Sequence, residues 1–218
     1  SYYYLKHQIT NGLLIGLVGF FLAYKINYQR YKKLALILLV LSVIILALVF
    51  TDYGVKAGGA TRWLKFGPII FQPAEILKIT FVLYLAAWLS NPKISRGKKF
   101  LAGLIPFLVV TGLVSSLLLL QPATSMVVIL IGAALIIYFL SEAKLKYFFG
   151  VAAVAMVGIG LIVIFTPYRL ERILTFLKPE ANSPDSSYHA NEAQIAIGSG
   201  GLWGVGYGNS KTKAGYLP

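Results

Sequence analysis

Cysteine is missing altogether, histidine occurs twice, and only 7 Asp and Glu stand against 20 Lys and Arg in 218 residues. Without Cys there is no disulfide, no thiolate metal site and no cysteine nucleophile. Charged residues total 12%, about half the share usual in a soluble domain. HExxH, GxSxG and P-loop motifs are also absent. These shortages exclude an ordinary soluble enzyme, a disordered tail and a disulfide-stapled secreted domain. What fills the chain instead is apolar: 58% of residues are hydrophobic, and the mean hydropathy is +0.76. The formal charge of +13 would suggest a nucleic-acid partner on a soluble protein. Here the bases lie between apolar runs, which points to a membrane and not to nucleic acid.

Six apolar runs read as membrane helices: Thr10–Tyr24, Leu34–Thr51, Pro73–Leu89, Leu101–Leu120, Pro122–Leu140 and Tyr147–Phe165. A span takes about 20 residues, so the first and third are short. The fourth and fifth adjoin at Gln121-Pro122. Proline suits the first turn of a new helix and disfavours helix in the residue before it. One kinked helix of about 40 apolar residues would be too long for a single span, so a hairpin is preferred. The expected fold is all-α, a polytopic membrane helix bundle of about six spans. Ten of the 20 bases fall in three connectors, 25–33, 90–100 and 141–146, and the positive-inside rule makes these cytoplasmic. Segments 52–72 and 166–218 then lie outside, the second as a large extracellular loop. Gly12-x-x-x-Gly16 reads as a helix-packing face, and Tyr84 and Trp88 as interface anchors. With no initiator Met and an end inside a loop, the chain reads as one membrane domain from a larger protein.

Polar residues collect on the outer side. The first cluster runs Gly58-Gly59-Ala60-Thr61-Arg62-Trp63-Leu64, then Phe71-Gln72-Pro73-Ala74-Glu75-Ile76-Leu77-Lys78. Pro73 suits the first helical position, which puts Glu75 in the first turn, where the helix dipole favours a carboxylate. Lys78 is three residues on, on the same face. The pair is either an ion pair on a capped helix or a polar pair facing an internal cavity, since ionisable residues in a span usually turn inward. The second cluster lies within 166–218 and includes Arg169, Arg172 and His189. Tyr188–Ile197 reads as a short helix ended by Gly198, and the glycines at 198, 200, 201, 204, 206 and 208 as tight turns or places of close backbone approach. No preceding strand and following helix frame them as a dinucleotide loop.

Together the two clusters are similar to the SEDS family (shape, elongation, division and sporulation). Arg62-Trp63-Leu64 followed by Phe71-Gln72-Pro73-Ala74-Glu75-x-x-Lys78 resembles the family's "RWL…FQPSExxK". Tyr168-Arg169-Leu170-x-Arg172-Ile173-x-x-Phe176-Leu177-x-Pro179 resembles "YRLxRIxxFLxP", and the stretch from Ala196 to Gly206 resembles "AIGSGGLxGxG". The run from Gly204 to Ser210, with Lys213 and Tyr216-Leu217-Pro218, looks more like the division branch than the elongation branch. Two positions depart from the pattern. Ala74 replaces the usual Ser, and Ala123 stands where the family often has Asp.

The resemblance implies a bacterial peptidoglycan glycosyltransferase in the cytoplasmic membrane that polymerises lipid II at its outer face during septal wall synthesis. It implies a class B penicillin-binding protein transpeptidase and other division-complex membrane proteins as partners. It places Glu75 and Lys78 in the catalytic set, and Arg62, Trp63, Gln72, Arg169, Arg172 and Ser199 in the substrate-binding set. No protein-bound metal cluster is expected from these residues, although a divalent cation (Mg or Mn) is a candidate cofactor at the diphosphate. The family's proposed catalytic Asp would lie beyond Pro218, so the 218 residues alone are expected to be inactive. The competing readings are a transporter of the lipid-linked precursor, an elongation polymerase and a non-catalytic scaffold. Concentration of polar residues on one side, with ionisable groups in a single span, favours the enzyme over the transporter.

Overall fold

The computed structural model describes residues 2–57, 59–67, 69–90, 98–177, 184–206 and 209. They form two compact bodies, one of residues 20–156 and one of residues 1–19 with 157–218.

The larger body is a helical bundle capped by a small sheet. Its first complete helix, α3 (Tyr28–Ala47), starts at Asn27, which is extended and whose Oδ1 accepts from the Gln29 N–H at 2.9 Å. That bond satisfies one of the free donors at a helix start. A 3₁₀ turn, Leu48–Phe50, ends the run. Three antiparallel strands follow, β1 (Gly54–Ala57), β2 (Ala60–Phe66) and β3 (Ile69–Phe71), with β2 in the middle. Gly59 and Gly67, after β1 and after β2, hold left-handed φ values of 79° and 59°, which glycine adopts without cost. The next helix, α4 (Pro73–Leu89), begins at once, with Pro73 in its first turn. A π turn at Phe100–Leu104 leads into α5 (Ile105–Leu120), then α6 (Thr124–Leu140) and α7 (Leu145–Ile164), whose residues up to Met156 belong to this body and the rest to the smaller one.

Helix α4 is the centre of the bundle. Its Leu77, Phe81 and Leu85 are fully buried and join a core with Leu39 and Leu46 of α3, Phe107, Val114 and Leu118 of α5, and Leu130 and Tyr138 of α6. The Phe107 and Tyr138 rings stack at 4.5 Å. A hydroxyl pair joins α3 to α4, Ser42 Oγ to Thr80 Oγ1 at 2.7 Å. Each hydroxyl also bonds a carbonyl of its own helix, Leu39 and Leu77 respectively, so the pair is satisfied within the hydrocarbon depth. The outward residues are apolar and exposed, for example Leu36 at 57% and Ile79 at 65%. A water-facing bundle would place polar groups there, whereas lipid accepts these side chains.

Two contacts fix the sheet and the α5–α6 turn to the bundle. Arg62 on β2 donates from Nε to the Gln121 carbonyl at 3.0 Å and from Nη2 to the Pro122 carbonyl at 2.5 Å. Gln121, fully buried, donates from Nε2 to the Leu46 carbonyl at the end of α3, at 3.2 Å. At the opposite end, Lys98 Nζ meets Glu142 Oε2 at 2.6 Å and bridges the entrance of α5 to the exit of α6. Its hydrogen bond, then its charge, hold the Glu142 carboxyl below the usual carboxylate range.

The smaller body holds α1 (Tyr2–His7), a π segment Gln8–Leu14 and the first turn of α2 (Ile15–Lys25). It also holds α8 (Pro167–Leu177) and α9 (Pro184–Gly200), which touch each other. Leu170, Ile173, Leu174 and Leu177 recur at helical spacing along α8, the pattern of an interfacial helix.

The helical bundle and the six expected columns are present. Four helices, Leu5–Lys25, Tyr28–Phe50, Phe100–Leu120 and Leu145–Ile164, are long and apolar enough to cross a membrane, and α4 and α6 are 17 residues each. The chain is therefore a multi-pass membrane protein. Several local readings change. The first column is helical from Tyr2, eight residues before the expected start at Thr10. The 52–72 segment is a sheet, and the described parts of 166–218 are mostly helix. Pro122 lies in the turn, two residues before α6 starts at Thr124. Gly198 is inside α9, and the terminator is Gly201, whose φ is 52°. No neighbour comes within 4 Å of a Cβ built on Gly16 or Gly19, and only Gln8 of its own helix meets one on Gly12. Among the described residues, then, nothing packs on that glycine face. Tyr84 and Trp88 stack at 6.5 Å and lie half-buried against the core.

Two substitutions test these joints by thermal unfolding in detergent. A Cβ on Gly54 would collide with the Val49 carbonyl oxygen and would lie 2.7 Å from Thr61 Cγ2. Gly54→Ala should therefore destabilise by about 1–3 kcal/mol, as overpacking usually does. Arg62→Ala should cost about 1.5–3 kcal/mol, the range for hydrogen bonds from a charged donor. Arg62→Lys should recover only part of that, because an ammonium lacks the planar fork that reaches two carbonyls. An unchanged melting temperature in Arg62→Ala would show that the clamp does not hold the sheet.

Candidate active site

Five of the expected site residues share one end of the larger body. Arg62 and Trp63 are consecutive on β2, which pairs with β3 through Leu64 and Phe71. Gln72 follows β3 directly and is the extended residue that starts α4. Glu75 and Lys78 stand in the first turns of that helix. The order strand, one residue, helix is what brings the two halves of the first cluster to the same place.

Within it the charges are paired locally. Lys78 Nζ lies 2.9 Å from Glu75 Oε2. The Glu75 side chain is 54% exposed and the Lys78 side chain 28%. Between them in sequence, Leu77 is fully buried, and Ala74 before them is too. The helix thus presses Ala74 and Leu77 into the core while the ion pair faces outward at the bundle's end. Lys78 is five residues beyond Pro73, about 7.5 Å along the helix, so its ammonium reaches back to the first turn. A carboxylate at this position also gains from the positive end of the helix dipole. Of the two readings left open by the sequence, the described contacts are those of an exposed ion pair at a helix start. It is available to a ligand arriving from outside.

Arg62 is half-buried, and its two described bonds go to backbone carbonyls of the α5–α6 turn. A guanidinium has five N–H donors, so the clamp leaves donors over. Trp63 is exposed beside it, and Gln72 is half-buried with no side-chain bond to the helix start.

The remaining predicted residues belong to the smaller body. Arg169, on the first turn of α8, donates from Nη1 to Thr166 Oγ1 at 3.2 Å. Arg172 lies one turn further along the same helix, and its side chain is outside the described residues. Ser199 is exposed near the end of α9 and bonds the Ala196 carbonyl at 3.0 Å. His189 lies on α9, with its side chain likewise outside the described residues.

Gln121 was read from the sequence only as a helix break. In the structure its Oε1 is buried, with no hydrogen-bond partner among the described residues, and its backbone carbonyl anchors Arg62. The available signal was a lone amide between two apolar runs. Such a group must find partners inside the protein.

A divalent cation would meet a poor donor set. Among the described residues no three His, Asp or Glu side chains come together, and Glu75 is already held by Lys78. The described residues do not fit a cation cage, and no chemical step below passes through one.

Comparison with known proteins covers the whole chain. The model of the FtsW/RodA/SpoVE family of cell cycle proteins matches residues 1–218. A protein of Geobacter sp. (strain M18), named probable peptidoglycan glycosyltransferase FtsW, is 32% identical over 219 residues, covering 100% of this chain and 59% of the relative. The protein of the same name in Haemophilus ducreyi is 36% identical over 206 residues, covering 94% of this chain and 51% of the relative. The chain thus spans little more than half the length of these relatives. Among solved structures, a chain of a peptidoglycan synthase complex that coordinates polymerization and crosslinking superposes with a TM-score of 0.68 at 30% identity, covering 90% of this chain and 57% of that one. The rod shape determining protein RodA of Thermus thermophilus gives 0.56 at 26% identity, covering 72% and 50%. With its full length matched by one family model, and a helical membrane fold shared with solved members, the chain belongs to the FtsW/RodA/SpoVE family of cell cycle proteins.

Proposed function

We propose that the intact protein is a peptidoglycan glycosyltransferase that polymerises lipid II at the outer face of the bacterial cytoplasmic membrane during septal wall synthesis. The observation that carries this reading is the Glu75–Lys78 ion pair, exposed at the end of the bundle opposite the lysine-rich connectors, on the motif that resembles the family's "FQPSExxK". Relatives named as probable glycosyltransferases, matched over 94–100% of the chain, support it.

In the reaction the acceptor sugar hydroxyl attacks the anomeric carbon of a lipid-diphosphate donor. A new C–O bond forms, the bond from that carbon to the diphosphate oxygen breaks, and the hydroxyl proton passes to a base. Negative charge develops on the leaving diphosphate, so cations placed there lower the barrier. Lys78 supplies a point charge. The free donors of Arg62 supply directional ones, which suit phosphate oxygens. Glu75, oriented by Lys78, accepts a hydrogen bond from the acceptor hydroxyl and supports a base that the family resemblance places beyond Pro218. Arg169, Arg172 and Ser199 enter the substrate-binding set by resemblance, and their guanidinium and hydroxyl groups suit diphosphate and sugar. Trp63 and Gln72 offer a ring face and an amide to the same sugar.

A class B penicillin-binding protein is the proposed partner. The likeness to a chain of a complex that joins polymerization to crosslinking supports a transpeptidase beside this one. Transport of the precursor is less favoured by the described spans. Helices α5 and α6 contain no acidic or basic residue, so no chain of ionisable groups crosses them, as a polar path would need.

The test is polymerisation of lipid II by the purified full-length protein with its partner. Glu75→Gln and Lys78→Ala should each reduce glycan yield by about 100-fold or more, the scale of losing one positioned charge or acid–base group. Their melting temperatures should stay close to the parent's, because an exposed ion pair contributes little to stability. Parental yield from either variant would remove these residues from the mechanism.

A further inference from the structure

A cavity of ≈ 170 Å³ lies between α5, α6 and α7, lined by Phe107, Thr111, Ser115, Ala134, Val151 and Ala155 among others. All belong to the larger body. Apolar cavities of about this volume accept a benzene-sized guest. Two residues on its wall, Leu108 and Val154, are 41% and 69% exposed, so it opens sideways to the lipid rather than to water. The Thr111 and Ser115 hydroxyls have no hydrogen-bond partner among the described residues. Both can turn back to a carbonyl of the preceding helical turn, so neither requires a polar guest.

The position of the cavity along the bundle identifies what fills it. Val151 and Ala155 lie four and eight residues beyond Tyr147 on α7, about 6 and 12 Å by helical rise. Phe107 lies about 10 Å beyond Phe100, and Ala134 about 9 Å before the end of α6. The cavity therefore spans the middle of the bundle, from Val151, one turn beyond Tyr147 on the side of the 98–100 and 141–147 segments, to Ser115, five residues before the end of α5. At the end formed by the 98–100 and 141–147 segments cations converge. Lys144 Nζ and Lys146 Nζ lie 5.8 and 5.2 Å from the centre of the Tyr147 ring, and Phe100, next to Lys99, packs on that ring at 5.9 Å. Glu142 is occupied by Lys98. Lys99, Lys144 and Lys146 thus face the membrane surface with no carboxylate in ion-pair reach among the described residues.

We propose that this corner is a binding site for one anionic phospholipid of the lysine-side leaflet. Its phosphate lies among Lys99, Lys144 and Lys146, and one acyl chain enters the cavity between α5, α6 and α7. A basic pocket between membrane helices is suited to anionic headgroups, and the cavity begins one helical turn below it, where an acyl chain would start. The site is separate from the proposed catalytic end and does not depend on the polymerase reading.

Native mass spectrometry of the full chain, released from detergent with dioleoyl phosphatidylglycerol or dioleoyl phosphatidylcholine, tests it. One phosphatidylglycerol should be retained in preference to phosphatidylcholine. The double variant Lys144→Gln/Lys146→Gln should lose that preference by about 25-fold, at roughly fivefold per lysine. Both lysines are exposed, so folding should be unaffected. Lys32→Gln/Lys33→Gln, which removes the same charge from another connector, should bind as the parent does. Ala155→Phe, which fills the cavity, should weaken retention of both lipids. In a second measurement, tryptophan introduced at the exposed Val154 should be quenched by acyl-brominated phosphatidylglycerol more than by brominated phosphatidylcholine. Equal retention of the two lipids, unchanged binding in the Lys144/Lys146 variant, or equal loss in the Lys32/Lys33 variant would overturn the site.

Discussion

The end of the bundle that carries the sheet depends on how the break between α5 and α6 is satisfied. A chain that turns inside or near hydrocarbon exposes backbone carbonyls that helix geometry no longer covers, and each costs several kcal/mol if left alone. Here the Gln121 and Pro122 carbonyls take the Arg62 guanidinium, and the Gln121 amide donates to the Leu46 carbonyl near the end of α3. One turn is thereby tied to the sheet and to α3. Because β2 carries Arg62 and β3 runs into α4, the same clamp fixes where Glu75 and Lys78 begin. The geometry of the site is thus a consequence of a local hydrogen-bond debt. A charged donor discharges that debt and keeps donors over for a ligand.

Charge scarcity sharpens this arrangement. With 7 acids to 20 bases, most cations have no carboxylate to meet. The two described ion pairs occupy opposite ends, Glu75–Lys78 beside the sheet and Lys98–Glu142 on the lysine-rich side. The unpaired cations are therefore left to anions that come from elsewhere. A diphosphate at one end and a phospholipid headgroup at the other are the anions that the two proposals assign to them.

Much of this was legible in the residues. The apolar runs, the Gln121-Pro122 hairpin and the basic connectors follow from span length and charge alone, because lipid imposes them with little help from tertiary contacts. The i, i+3 spacing of Glu75 and Lys78 after Pro73 gave the ion pair, since helix geometry fixes it. The sheet was not legible. Its strands are short, and Gly54, Gly59 and Gly67 read as loop residues until the close approach of Val49 and Thr61 to Gly54 is seen. The glycines near 198–201 misled in the other direction. Gly198 and Gly200 lie within a helix whose stop is set by the left-handed Gly201. The partner of Arg62 was hidden because a backbone carbonyl carries no sequence signal. Gln121, likewise, is decided by packing at 75 residues' separation from Leu46.

The two ends of the bundle answer different demands through the same helices. Helix α4 enters at the Arg62 end and is buried along its length by Leu77, Phe81 and Leu85, so it transmits position rigidly. Helix α7 is the opposite case, with Val151 as its one buried residue. A span held by so few contacts leaves a seam beside it, and in a bilayer a seam is filled by whatever is apolar and near. Where that seam opens beneath unpaired lysines, a lipid that carries both a chain and a negative charge fits it better than a neutral one. In the proposed site, loose packing at α7 supplies the binding volume, and the engagement of Glu142 by Lys98 leaves the selectivity to the remaining lysines.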